Sequence, residues 1–170
     1  MKSAMNTKNT VSLSIAAMLA ISAILIVGTN NAFAASKFNE ADFKIKDFGV
    51  KDGNPWLSVE GTAGGSIPEN HSLIYSYAFV TDNGTFAATS HGGEDSAEVE
   101  NDTQWHTHQV TLDEKNCVAS INDNGKNELS KDKITITETN ATKVDKVMTA
   151  ELTKNTDGSI CVTKVFDSAP

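Results

Sequence analysis

The stretch from Asp102 to Asp113 reads DTQWHTHQVTLD and sets His106 and His108 two residues apart beside Trp105. In a β-strand, residues i and i+2 project from one face. The two imidazoles then share a face with Val110 and Leu112, while Trp105, Thr107, Gln109 and Thr111 take the other. A strand that holds two neighbouring imidazoles can aim both at one metal ion, and nitrogen donors favour copper or zinc over magnesium or calcium. Such a site needs a third ligand. His91 is the first candidate and His71 a further one, with Glu94 and Asp95 as oxygen donors behind Gly92-Gly93 and Glu98 and Asp102 nearby in sequence. From Asp52 to Glu114 there is no lysine, and that stretch carries 11 acidic residues, all four histidines and both tryptophans. Groups able to hold a cation are therefore concentrated in one part of the chain.

Other chemistries find less support. No histidine follows His108 or Cys161, so frameworks that complete an H-x-H pair or a copper–thiolate set downstream do not fit. There is no G-x-S-x-G elbow, no phosphate-binding glycine loop and no free thiol paired with a histidine. The runs NDNGKNE (Asn122 to Glu128) and DNG (Asp82 to Gly84) place oxygen donors around glycine, but neither matches the twelve-residue calcium loop. Both read as turns, which ask for the same residue types. An enzyme is not indicated. The sequence points to a structural or interaction/binding module, with a copper- or zinc-binding secreted protein (carrier, scavenger or simple metalloenzyme) as the alternative.

The N-terminus bears on where such a module works. Lys2 and Lys8 precede VSLSIAAMLAISAILIV (Val11 to Val27), and Ala32-Phe33-Ala34 follows as a small-x-small site. That order is the pattern of a secretory signal peptide over residues 1–34, cleaved after Ala34. The alternative is a retained anchor, although a helix of this apolar length would reach only about 25 Å. The remaining 136 residues suit a single domain. They hold 12 lysines, no arginine and 22 acidic residues, for a net charge of −10. So much negative charge opposes nucleic acid and anionic membranes, and without arginine there is no bidentate phosphate fork. The expected location is extracellular or the cell envelope, with no membrane insertion after cleavage. The expected partner is a cell-surface protein, a glycan or a metal ion. Cys117 and Cys161, in an exported chain, predict a disulfide. Asn70, Asn83, Asn101 and Asn140 each open an N-x-S/T sequon and are candidate glycosylation sites.

The elements that must position these groups are strands. LIYSYAFV and TFAATSH flank Asn83-Gly84, which predicts a hairpin with a type I′ turn and φ > 0 at both central residues. Period-two alternation then puts Tyr75, Tyr77, Phe79, Phe86 and Ala88 on the core face, and Ser76, Ala78, Val80, Ala87 and Thr89 on the other. ADFKIKDF, WLSVEGTA, TQWHTHQVTLD, CVASIN, KITITET, KVMTAELTK and ICVTKVF read as further strands, with turns at DEKN, NDNGKNE and NTDG. Trp56 reads as a core residue and Trp105 as filling the sheet face opposite the histidines. About nine short strands with hairpin signals predict an all-β antiparallel sandwich, immunoglobulin-like or fibronectin-like, with a small β-barrel as the alternative. The disulfide is expected to join CVASIN to ICVTKVF, across the two sheets.

Overall fold

A computed structural model describes residues 38–68, 70, 72–90 and 105–170 of the chain. All of them belong to one compact unit, Phe33–Pro170. The described residues form a short 3-10 helix, Glu40–Phe43, and ten strands. The strands are β1 (Ile45–Lys51), β2 (Asn54–Val59), β3 (Leu73–Thr81), β4 (Gly84–Ser90), β5 (Trp105–Leu112), β6 (Val118–Asn122), β7 (Lys126–Ser130), β8 (Lys133–Thr137), β9 (Val144–Lys154) and β10 (Ile160–Ala169). They build two antiparallel sheets, β1-β2-β8-β7 and β10-β9-β3-β4-β5-β6. The sheets pack against each other as an all-β sandwich rather than a closed barrel.

The core follows from period-two alternation. Leu57, Val59, Ile134 and Ile136 line the inner face of the four-stranded sheet and are fully buried. Against them stand Tyr75, Tyr77, Phe79, Phe86, Ala88, Trp105 and Val147 of the six-stranded sheet. Phe43 joins this layer, with ring centroids 5.0 Å from Tyr75, 5.6 Å from Tyr77 and 4.8 Å from Phe166. Tyr77 is the polar exception. Its hydroxyl donates to the Asp42 carbonyl at 2.9 Å and accepts the Gly64 N–H at 2.9 Å, so burial leaves nothing unsatisfied there. Burial pushes the phenol above its ordinary ionisation range, and the Gly64 hydrogen bond only partly opposes this. The unit thus holds its own core, its ring cluster and its disulfide, the requirements for folding alone.

Several local features depart from the sequence expectation. The stretch ADFKIKDF begins as the 3-10 helix, and strand β1 starts only at Ile45. The buried Asp42 carboxylate explains the turn, because it accepts hydrogen bonds from Asn39 Nδ2, Thr62 N and Ser66 Oγ at 2.8–2.9 Å. The β3–β4 loop is Asp82-Asn83, closed by the Thr81–Gly84 pair, one residue earlier than the expected Asn-Gly turn. Only Gly84, at φ 122°, has a positive φ; Asn83 does not. Tertiary contacts select this turn. Thr81 Oγ1 accepts the Asn83 N–H, Asn83 Nδ2 donates to the Thr139 carbonyl at 2.7 Å, and the Asp82 carboxylate accepts from Thr142 and Lys143. Both ends of the register move together, so each side chain keeps its predicted face.

NDNGKNE was expected to be turn throughout, yet Lys126–Ser130 forms β7. It is an exposed edge strand and carries no apolar alternation to announce it. Trp56 is not in the core. It lies half-buried on the outer face of the smaller sheet, against Gly49 and with Lys133 Nζ 3.9 Å from its ring centroid. Trp105 is buried against Tyr77, as expected.

Candidate functional site

The disulfide does not cross between the sheets. β6 and β10 are the two edges of the six-stranded sheet, and Cys117–Cys161 joins those edges. Beside it the two cysteines form an isolated antiparallel bridge, and Val162 N donates to the Asn116 carbonyl at 3.0 Å. A sheet whose edges touch must be rolled. Local turns set each edge. Asp113 Oδ1 accepts the Lys115 and Cys117 N–H groups, and Asn116 takes a left-handed φ of 60°. On the other side Asp157 accepts from the Ser159 N–H and hydroxyl, which holds its carboxyl below the usual range, and Gly158 turns the chain at φ 86°.

The roll closes around the face turned away from the sandwich core and leaves a trough of about 400 Å³. Its depth can be read along two paired rows. On β3 the row runs Val80, Ala78, Ser76, Ile74; on β9 it runs Lys146, Met148, Ala150, Leu152, each opposite the other in register. Lys146 is exposed and Val80 is 38% exposed, whereas Ser76, Ala150, Ile74 and Leu152 are all buried. The mouth therefore lies at Lys146 and Val80. At the far end, Ile74, Ala150 and Leu152 pack with Val118, Ile160 and Val162 beside the seam. Leu112 and Ile121, 40% and 50% exposed, add apolar rim to the trough.

Side-chain size creates this space. Tyr75, Tyr77 and Phe79 fill the core face of β3, while Ser76 and Ala78 stand between them on the trough face. Ala87 on β4 and Ala150 on β9 continue the small floor. Packed interiors hold few voids larger than a water molecule. A cavity of this size, mostly apolar and with a few polar groups, falls within the range of small-molecule sites.

The histidines partly meet the expectation. His106 and His108 share a face of β5, and His108, Val110 and Leu112 line the trough together. His108 Nδ1 lies 3.2 Å from Asp123 Oδ1. Among the described residues no group of three His, Cys, Asp or Glu side chains converges as a metal site. His71, His91, Glu94, Asp95, Glu98, Asp102 and the sequon residue Asn101 lie outside the described residues. Asn70, Asn83 and Asn140 are exposed.

No family model matches the chain, and no curated protein and no solved structure is significantly similar to it. Sequence reasoning assigned the trough residues to the right face and passed over what that face was. One signal was there to find: Leu73 to Ser90 holds a single charged residue, Asp82 at the hairpin tip. A solvated outer face of two strands would carry more charge than that.

Proposed function

We propose that this chain is an exported binding module of the cell envelope or extracellular space, and that it binds an apolar small molecule in the trough of its rolled sheet. The observation that carries this reading is the cavity of about 400 Å³ floored by Ser76, Ala78, Ala87 and Ala150. Four larger side chains at those positions would fill the space; small ones keep it open. The disulfide at the seam supports an oxidising compartment. The acidic, arginine-free composition supports a ligand that is not a nucleic acid. Copper or zinc binding gains no further support from the described histidines.

The test is uptake of a neutral environment-sensitive dye such as N-phenyl-1-naphthylamine by the Phe33–Pro170 unit, compared with Ala87→Phe. The wild type should enhance and blue-shift dye fluorescence with saturable binding. Ala87→Phe should lose at least about tenfold in affinity, the cost of forcing one aromatic ring into an occupied slot, with an unchanged circular dichroism spectrum. Equal, unsaturable dye response in both proteins would sink the proposal.

A further inference from the structure

We infer that the ligand is an anionic amphiphile, seated with its head at Lys146 and its tail along the floor towards the seam. This rests on the trough being a binding site. Lys146 is the one lysine among the described residues lining the trough. Among the described residues it makes no ion pair: its sequence neighbour Asp145 is held by Lys143, and the carboxylate in turn raises the Lys143 ammonium above its ordinary value. The other ionisable side chain on the lining, His108, faces Asp123. A positive charge at the mouth and burial increasing inward along both rows match an anion joined to an apolar tail.

The trough is long enough to take an extended chain. From Lys146 to Leu152 the β9 row covers about 20 Å at the strand rise. The depth is mostly apolar, from Ala78 and Met148 to Ile74 and Leu152, with the Ser76 hydroxyl on the floor, so most of the tail meets apolar surface. The acidic protein repels anions at long range, so the selectivity must be local to Lys146 and appear as a difference between head groups.

The experiment displaces the dye from the Phe33–Pro170 unit with dodecanoate, dodecanol and dodecyltrimethylammonium, each as monomer, in wild type, Lys146→Gln and Ala87→Phe. The wild type should prefer dodecanoate over dodecanol by up to about fivefold at low salt, the strength of an exposed charge pair. The cationic compound should bind most weakly. Lys146→Gln should erase the preference and leave dodecanol affinity as it was, and Ala87→Phe should weaken all three. Equal affinity for the alcohol and the acid in wild type, with Lys146→Gln silent, overturns the head-group assignment and leaves the trough reading standing. A preference for the cation overturns it as well. Displacement that Ala87→Phe does not alter removes the tail from the trough. If dye binds and no compound displaces it, the amphiphile reading falls alone; if the dye itself does not bind and the unit proves dimeric by light scattering, the trough belongs to a second copy, and both readings fall.

Discussion

The two faces of the β3–β4 hairpin differ by one residue step and by everything that matters for their use. On one face Tyr75, Tyr77, Phe79 and Phe86 interlock with Phe43, Trp105 and the smaller sheet. On the other, Ile74, Ser76, Ala78, Ala87 and Thr89 stand beneath an unfilled trough. Both faces are poor in charge, so hydropathy does not separate them. Residue size does: large rings close one side of the sheet, and alanine and serine hold the other side open. An alternation of large with small is thus a different message from an alternation of apolar with polar. The first marks a sheet with work on both faces, the second a sheet with one face in water.

Adjacent truncations should break this comparison most visibly. Phe79→Ala removes a fully buried ring from the core and should cost about 3–5 kcal/mol by denaturant unfolding. Val80→Ala, one residue on and at the trough mouth, should cost less than about 1 kcal/mol while reducing dye affinity. Similar losses of stability for both would mean that the trough face is packed like the core.

Removing the disulfide should separate the faces in another way. The crosslink spans a sequence separation of 44, for which the chain-entropy model gives about 4 kcal/mol. Cys117→Ser/Cys161→Ser should lose up to that amount. It should also lose dye binding, because the seam that rolls the sheet is gone, and yet keep a buried Trp105 signal in the native state. Retained dye binding in the double variant would show that the hydrogen-bonded sheet holds its roll unaided.

The smallest effect belongs to the hairpin tip, which serves neither face. Hydrogen bonds from the Thr142 hydroxyl, then its N–H, and from Lys143 N–H hold the Asp82 carboxyl below its usual range. A lowered folded value means that the contribution is complete above the ordinary carboxylate range and is lost as pH falls through the folded value. Asp82→Asn should be slightly less stable than wild type at neutral pH, and the gap should close on acidification below the carboxylate range. A gap independent of pH would assign the effect to turn geometry. Dye affinity should not change in either case.

Much of the framework was legible in the residues. Period-two patterns gave both faces of β3 and β4, and the DEKN and NTDG turns sit where Asp113 and Asp157 cap them. What failed did so for physical reasons. β7 lacks apolar alternation because it is an exposed edge. The Asn-Gly turn moved because Asp82 and Asn83 are engaged by the segment 139–143, far away in sequence. Trp56 looked like core because an aromatic in a strand usually is; here Gly49 and Lys133 shelter it on the outer face.

By itself, the sequence determined the strand periodicity, the pairing of Cys117 with Cys161, the face shared by His106 and His108, and the placement of small residues opposite large ones. These are local properties, fixed by the two-residue repeat of a strand and by which residues can pack or turn. Only the tertiary structure decided that β6 and β10 are the edges of one sheet, that the disulfide joins those edges, and that a face of alanines is therefore enclosed. Strand order is set by contacts between residues far apart in the chain, and no local pattern encodes which two edges will meet.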